Sequence, residues 1–222
     1  MKNPGSTLRS ILSAVFIIVL LSGGLPADAD IVDKMIATVN SEPILNSDVL
    51  WQVAIMSRIP LTNIPVTTRE DTLNNIIDAR LIHQEAARLP SAAVTDKEID
   101  SRLHDIIAGF PSSMAFQQRI ESVGLTSEAL REVLRGQIEV EKYIDFRFRS
   151  FVVVTEAEIR NHYETEEVAK AKEQGVVPPP LSDPKVRKLV EDIVREQKIN
   201  NQMETWLADA RKRADIVRLA QF

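Results

Sequence analysis

Apolar residues recur every three or four positions along most of the chain, and this period predicts a series of amphipathic helices. Capping residues mark where the helices begin: the capping boxes Thr95 with Glu98 and Thr155 with Glu158, and further starts at Thr68, Ser112 and Thr126. Gly109 is interpreted as a left-handed stop after one of these helices, and another is expected to end at Gly124. The pattern predicts a mainly α fold.

The longest predicted helix begins at Pro184, after Ser182 or Asp183 as its cap. Its apolar residues continue for about thirty positions, which is roughly 45 Å at 1.5 Å per residue. The middle of this helix, from Arg195 to Lys198, is polar on every side. A helix with two apolar patches and a polar middle either bridges two pieces of structure or packs on one and leaves the other open.

Two short segments have the pattern of strands instead of helices. Residues 34–40 suit a pleated surface and lead through the turn formers Asn40 and Ser41 into a predicted hairpin. Residues 214–219 alternate in the manner of an edge strand. Between the hairpin and Pro60, Asn46 or Ser47 is expected to cap a first helix.

The first 29 residues have the organisation of a signal peptide. Lys2 and Arg9 form a positive segment, residues 11–21 are apolar, and the small residues Ala27 and Ala29 precede Asp30. We expect cleavage between Ala29 and Asp30. The apolar run is shorter than the roughly 20 residues that span a bilayer, so an uncleaved anchor is the weaker alternative. The sequence thus predicts export to the periplasm without stable membrane insertion after cleavage.

Composition narrows the possible functions further. The formal net charge of the 222 residues is -5, which argues against nucleic acid as a partner, and the absence of cysteine removes thiolate chemistry. His83, His104 and His162 are too far apart for a metal-ligand spacing. Neither a glycine-rich phosphate loop nor a hydrolase elbow is present. We therefore expect no metal, no cofactor and no enzymatic activity.

Six parts of the chain form a recognisable series: residues 32–40 (VDKMIATVN), 43–48 (PILNSD), 73–87 (LNNIIDARLIHQEAA), 94–100 (VTDKEID), 154–164 (VTEAEIRNHYE), and the final helix with Trp206-Leu207 and residues 216–219. In their order and spacing, these segments resemble the SurA family of periplasmic chaperones. The resemblance implies a SurA/trigger-factor-like helical chaperone module, with a small β element that pairs the N-terminal strands with the C-terminal strand.

The chain departs from the family where a prolyl isomerase domain is expected. Residues 165–183, which end in the proline-rich run Pro178 to Pro180, are too few to form a packed domain. We therefore predict a signal peptide (1–29), an N-terminal helical chaperone module (30–164), a proline-rich linker in place of an isomerase domain (165–183), and a long C-terminal helix and strand that complete the module (184–222). Isomerase activity is not expected, because the catalytic histidines of the isomerase domain have no counterpart.

The resemblance implies an ATP-independent holdase whose partners are unfolded polypeptides, in particular outer-membrane protein precursors. Flexible apolar side chains suit this task, and the candidates for client binding are Met56, Ile59, Leu61, Ile64, Phe110, Met114, Phe116 and Trp206. Ordinary core packing is the alternative for each of them. Two other hypotheses remain open: a non-catalytic envelope adaptor with one dedicated partner, and an enzyme. A homodimer is also possible.

Overall fold

The computed structural model describes residues 33–88, 93–219 and 222. The predicted signal peptide and its cleavage position between Ala29 and Asp30 lie outside these residues. Across the described ranges, no helix combines the length and the apolar character that crossing a bilayer requires.

The described chain is mainly helical, as predicted. Its strands are β1 (Met35–Val39), β2 (Glu42–Leu45) and β3 (Ile216–Arg218). Its α-helices are α1 (Asn46–Met56), α2 (Val66–Ala86), α3 (Asp96–Ala108), α4 (Ser113–Glu121), α5 (Ser127–Arg147), α6 (Glu156–His162), α7 (Val168–Glu173) and α8 (Pro184–Arg213). A π-helical turn, Tyr163–Glu167, joins α6 to α7, and 3₁₀ turns lie at Leu61–Asn63 and Arg149–Phe151.

The three strands form one antiparallel sheet in the order β2-β1-β3. Asn40 and Ser41 turn the chain between β1 and β2 with φ angles of 49° and 70°, the left-handed conformation that a tight hairpin needs. On the other side of β1, Thr38 is paired with Val217 of β3. The predicted hairpin and closing strand are therefore both confirmed.

The C-terminal part of the chain folds back onto the N-terminal part. Ala210 of α8 is buried in one core with Ile36 of β1 and Leu73 of α2, and Trp206 packs against this core. Arg211 Nε donates to Asp78 of α2 at 2.6 Å. Strand pairing, the shared core and the ion pair connect β3 and the end of α8 to β1 and α2. The C-terminal elements therefore pack directly on the N-terminal ones.

A second core lies under α3, α4 and α5. Its buried residues come from α1 as well, and are Ile55, Val94, Ile99, Phe116, Ile120, Leu125, Leu130, Leu134 and Ile138. A smaller cluster of Ile159, Val190 and Val194 joins α6 to the N-terminal half of α8. The polar middle of α8 lies where the chain enters α6, because Arg195 and Lys198 donate to the backbone carbonyls of Val152 and Val153.

Several predicted boundaries need correction. Residues 165–173 are helical, so the non-helical connection before α8 spans only residues 174–183. At the start of α1, the N-cap residue is Leu45 and not Asn46 or Ser47. Leu45 has no capping side chain, and its backbone N–H donates to the Asp48 carboxylate at 2.8 Å. The start of α2 is at Val66, directly after Pro65, and not at Thr68.

Gly109 follows α3, but it is not the left-handed stop that the sequence predicts. Its φ is -78°, whereas Gly124, which follows α4, has a φ of 67°. A Cβ atom at Gly109 would lie 2.5 Å from a terminal nitrogen of Arg58. The Arg58 guanidinium thus packs directly on the backbone at Gly109, and a larger residue here would require the end of this side chain to move.

Candidate binding surface

The eight candidate residues differ in exposure. Met56 and Met114 are 60% and 69% exposed, and Ile59, Leu61 and Phe110 are half-buried. Ile64 and Phe116 are buried in the interior, so the structure places these two among the packing residues and not on a surface. The segment 59–66, which is unusually apolar for a loop, is thus explained partly by the burial of Ile64.

Two segments that are distant in sequence carry most of these residues, and two arginines hold them together. Arg119 of α4 donates through Nε to the carbonyl of Ala54 and through Nη2 to that of Ile59, both at 2.9 Å. Arg58 donates through Nε to the carbonyl of Gly109 at 3.0 Å. We call the resulting region, residues 54–61 with residues 109–119, the α1–α4 surface.

Arg58 also packs on an aromatic ring of this surface. Its guanidinium carbon lies 3.6 Å from the centroid of the Phe110 ring, which is a close cation–π contact. The same ring meets Phe116 edge to face, with 5.1 Å between the centroids. Phe110 thus links the buried Phe116 to the half-exposed surface above it.

The α1–α4 surface is cationic at the point where α1 ends. Burial lowers the pKa of the Arg119 guanidinium, and the nearby charge of Arg58 lowers it further. Backbone carbonyls at the C-terminal end of α1 accept these donors, a position where the helix dipole favours positive charge. The surface therefore combines flexible methionines, an aromatic ring and two arginines.

Trp206 lies elsewhere, at the junction of α8 with α5. Its ring is 6.3 Å from that of Tyr143 and 6.1 Å from that of Phe148, measured between centroids. It borders a groove of about 420 Å³ that is also lined by Arg147 and Gln202. Trp206 is partly buried. It packs against the core around Ala210 and against a further cluster around Tyr143 and Ile199, so its main contribution is to the packing of α8 on the rest of the chain.

Sequence reasoning missed two features of the exposed surface. The first is the role of Arg58 and Arg119, because a sequence does not show which carbonyls a long side chain reaches. The second is the exposure of Phe146 and Phe151, at 58% and 72%, beside the buried Phe148. The signal that could have found them is their alternation with arginines where α5 ends, at Arg147.

The described residues hold no group of three or more His, Asp or Glu side chains arranged to bind a metal ion. His83 Nε2 lies 3.0 Å from Glu139 Oε2, a contact that links α2 to α5. Glu98 and Glu158 are held in capping boxes with Thr95 and Thr155. These carboxylates therefore have structural partners in the folded chain.

Comparison with known proteins agrees with the family resemblance found in the sequence. No protein-family model matches the chain. The SurA chaperone of Cupriavidus pinatubonensis (strain JMP 134) is 26% identical over 204 residues, which covers 87% of this chain and 40% of the relative. The foldase protein PrsA of Clostridium botulinum (strain Hall) is 31% identical over 81 residues, or 35% of this chain and 24% of the relative. The resemblance to SurA chaperones is thus confirmed in sequence, and the chain spans less than half the length of the relatives it matches.

Among solved structures, the chain is similar to one from Campylobacter jejuni, from work describing PEB4 and Cj1289 as two structurally related SurA-like chaperones. The TM-score is 0.48 at 12% identity, and the match covers 84% of this chain and 99% of the other.

Proposed function

We propose that the protein is an ATP-independent chaperone of the periplasm, a holdase that binds unfolded polypeptides, in particular outer-membrane protein precursors. The observation that supports this proposal best is the α1–α4 surface. It exposes Met56 and Met114 while the core beneath it, around Phe116, is well packed. A folded domain that leaves large flexible apolar side chains in solvent has a surface suited to binding.

The chemistry of this surface fits clients of varied sequence. Methionine side chains adapt their shape to different apolar partners, and the Arg58–Phe110 stack offers a cation and an aromatic face together. Precursors of β-barrels expose strands with alternating apolar residues before they fold. Transient contacts of this kind need no nucleotide, because each contact is weak and reversible.

The proposal excludes prolyl isomerase activity. Between α7 and α8 the described chain has only the loop 174–183, which is too short for a packed domain. The second half of the loop is held in place, because Tyr163 Oη donates to the Pro179 carbonyl at 2.7 Å and Leu181 packs against the cluster around Val190. Accelerated isomerisation of a proline-containing test peptide by the purified protein would contradict this part of the proposal.

The holdase function is tested by diluting a urea-denatured porin into buffer without ATP and following light scattering. We expect the protein to delay aggregation, and a Met56→Ser/Met114→Ser variant to lose roughly half of this protection, because two exposed apolar contacts are removed. Phe116 is left unchanged in this test, since its substitution would disturb the core.

Val66→Ser provides the matched control, because Val66 is also an exposed apolar residue, at 54%, but lies at the start of α2. It should protect as well as the unchanged protein. Equal protection by the double methionine variant would remove the α1–α4 surface from the proposal. A single tight envelope partner combined with no protection of unrelated clients would favour an adaptor instead.

A further inference from the structure

The α1–α4 surface has a charge that differs from that of the rest of the chain. Its two segments, residues 54–61 and 109–119, contain Arg58 and Arg119 but no aspartate or glutamate. Over the whole sequence acidic residues outnumber Lys and Arg, 32 to 27, for a formal net charge of -5. The surface is therefore a local region of positive charge on an acidic protein.

Two arginines that join helices elsewhere in the described chain have carboxylates as their partners. Arg102 of α3 donates to Glu141 of α5 at 2.7 Å, and Arg211 of α8 donates to Asp78 of α2 at 2.6 Å. The hydrogen bond to the carboxylate raises the pKa of each guanidinium group. In these pairs the positive charge is balanced within the folded chain.

Arg58 and Arg119 are held in a different way. Every hydrogen bond that they make within the described chain ends on a backbone carbonyl, including those of Ala54, Ile59 and Gly109. Burial and the charge of Arg58 lower the pKa of Arg119, whereas a carboxylate partner would raise it. Because carbonyl groups carry only partial negative charge, the two unit charges at this surface are not balanced by an ion pair within the described residues.

Both guanidinium groups keep donors for a further partner. Arg58 uses its Nε and Nη1 atoms and Arg119 its Nε and Nη2 atoms, which leaves one terminal nitrogen of each without an acceptor among the described residues. Arg58 is exposed and lies over the Phe110 ring, and Met56, two residues earlier, is 60% exposed. A carboxylate at Arg58 would therefore form a charge-assisted hydrogen bond beside exposed apolar side chains.

The charge and the apolar side chains together define the chemistry of the occupant. Recognition of an anionic membrane usually takes roughly four to eight basic residues. This surface has two, on a chain with a net charge of -5. Two arginines beside Met56 and Phe110 suit a polypeptide segment instead, one that carries a carboxylate among large apolar residues. The same positive charges repel a lysine or arginine in that place.

We propose that the α1–α4 surface selects client segments in which an aspartate or glutamate lies between large apolar residues, and discriminates against segments with lysine or arginine in that position. The inference rests on the proposed function, and it names the class of client segment that this surface binds best. Affinity comes from apolar contacts with Met56 and Met114, whereas the choice among clients comes from Arg58 and Arg119.

The test compares three synthetic peptides that differ at one position, and follows their fluorescence anisotropy as purified protein is added. Each has a central aspartate, asparagine or lysine between leucine and phenylalanine residues, and all carry the same uncharged dye. At low salt we expect the aspartate peptide to bind at least about threefold more tightly than the asparagine peptide, and the lysine peptide at least about threefold more weakly. These differences should shrink at about 0.5 M salt, because exposed charges are screened.

Substitutions of Arg58 assign the preference to this surface. Arg58→Gln should reduce the preference for aspartate over asparagine to less than about twofold, whereas Arg58→Lys, which keeps the positive charge, should retain it. Arg160→Gln is the matched control, because it removes the same charge from an exposed residue of α6 and should leave the preference unchanged. The peptide and salt series on the unchanged protein need no substitution, so they test the inference even if a variant does not fold.

Equal affinity for the aspartate and asparagine peptides, no binding of the aspartate peptide up to about 1 mM, or an unchanged preference in Arg58→Gln would overturn the inference. Binding to phosphatidylglycerol vesicles that is lost in Arg58→Gln, without a preference for aspartate, would also overturn it, since a membrane would then be the occupant. Protection of porin with equal binding of all three peptides would defeat this inference alone. A preference for aspartate that depends on Arg58, without protection of any client, would defeat the proposed function and leave the selectivity of the surface.

Discussion

Two pairs of helices, α3 with α5 (the first pair) and α6 with α8 (the second pair), have the same polar network and unequal apolar cores. Each has a threonine–glutamate capping box, a lysine that closes it from the long helix, and an arginine ion pair. Among the residues that the structure describes, the core around Ile99 contains nine buried ones drawn from several helices, whereas the cluster around Ile159 contains three. The comparison indicates that the polar network sets how the two helices meet, while covering helices decide how much surface is buried and how much stays open for binding.

The largest expected difference between the two pairs is in the free energy of unfolding lost when the matched isoleucines, Ile99 and Ile159, are replaced by alanine. Ile99 and Ile159 are 0% and 2% exposed, so exchanging either for alanine removes the same buried atoms. Ile99→Ala should lower the free energy of unfolding by about 4 kcal/mol, and Ile159→Ala by about 2 kcal/mol, because a smaller cluster relaxes more easily around the cavity. Urea unfolding followed by circular dichroism measures both. Equal losses would show that the two cores are equally well packed.

A smaller loss of stability, equal in the two pairs, is expected when the capping threonines are replaced. Thr95→Ala and Thr155→Ala each remove one hydroxyl that accepts a helix N–H, which costs about 1 kcal/mol of stability. Thr67→Ala, an exposed threonine in the first turn of α2, is the control and should change stability by no more than about 0.5 kcal/mol. A loss in the second pair much larger than in the first would mean that its cap, and not its core, holds α6 in place.

The smallest expected effect is on the dependence of the unfolding free energy on pH in the acid range. Hydrogen bonds from the Lys142 ammonium and from Thr95 lower the pKa of Glu98 from 4.5 to about 2, and Lys198 with Thr155 does the same for Glu158. Since a lowered carboxyl pKa stabilises the folded state above its unfolded value, this contribution is complete above about pH 4.5 and is lost as the pH falls toward 2. Lys142→Met and Lys198→Met should each flatten the dependence of unfolding free energy on pH in that window.

Unfolding in urea at intervals of pH measures these slopes, and the carboxyl titrations of Glu98 and Glu158 by nuclear magnetic resonance assign them. Lys142→Met should raise the pKa of Glu98 and leave that of Glu158 unchanged. A shift of both carboxyl groups in one variant would contradict the independence of the two networks.

The local features of the fold were largely predictable from sequence. The capping boxes at Thr95 and Thr155, the start of α8 at Pro184 and the hairpin at Asn40 all follow from bonds between residues close in the chain. The same local reasoning failed at Gly109, where a left-handed stop is predicted. Its φ is -78°, and Arg58, 51 residues earlier, packs on it. The length of the linker was misjudged because charged residues 165–173 continue a helix through a π-helical turn.

The repeat of the two helix pairs was only half visible in the sequence. Residues 94–99 (VTDKEI) and 154–159 (VTEAEI) are alike in the printed chain, but the lysines that complete the networks follow 44 and 40 residues after their glutamates. No local rule connects residues at that distance. The same limit applied to the candidate surface. Phe116 and Met114 are both candidates by sequence, but folding buries Phe116 and leaves Met114 exposed.

The sequence by itself therefore determined the helices and their caps, because short-range hydrogen bonds and the period of apolar residues are written in neighbouring positions. The return of the last strand was implied by the resemblance to the SurA family, since no local rule pairs strands so far apart in the chain. Only the tertiary structure decided which apolar side chains remain in solvent. Met56 and Met114 are exposed because no remote element of the described chain lies over them, whereas Phe116, two residues after Met114, is buried in the core around Ile99. Exposure is a property of the neighbours that folding brings together, and those neighbours are far away in the chain.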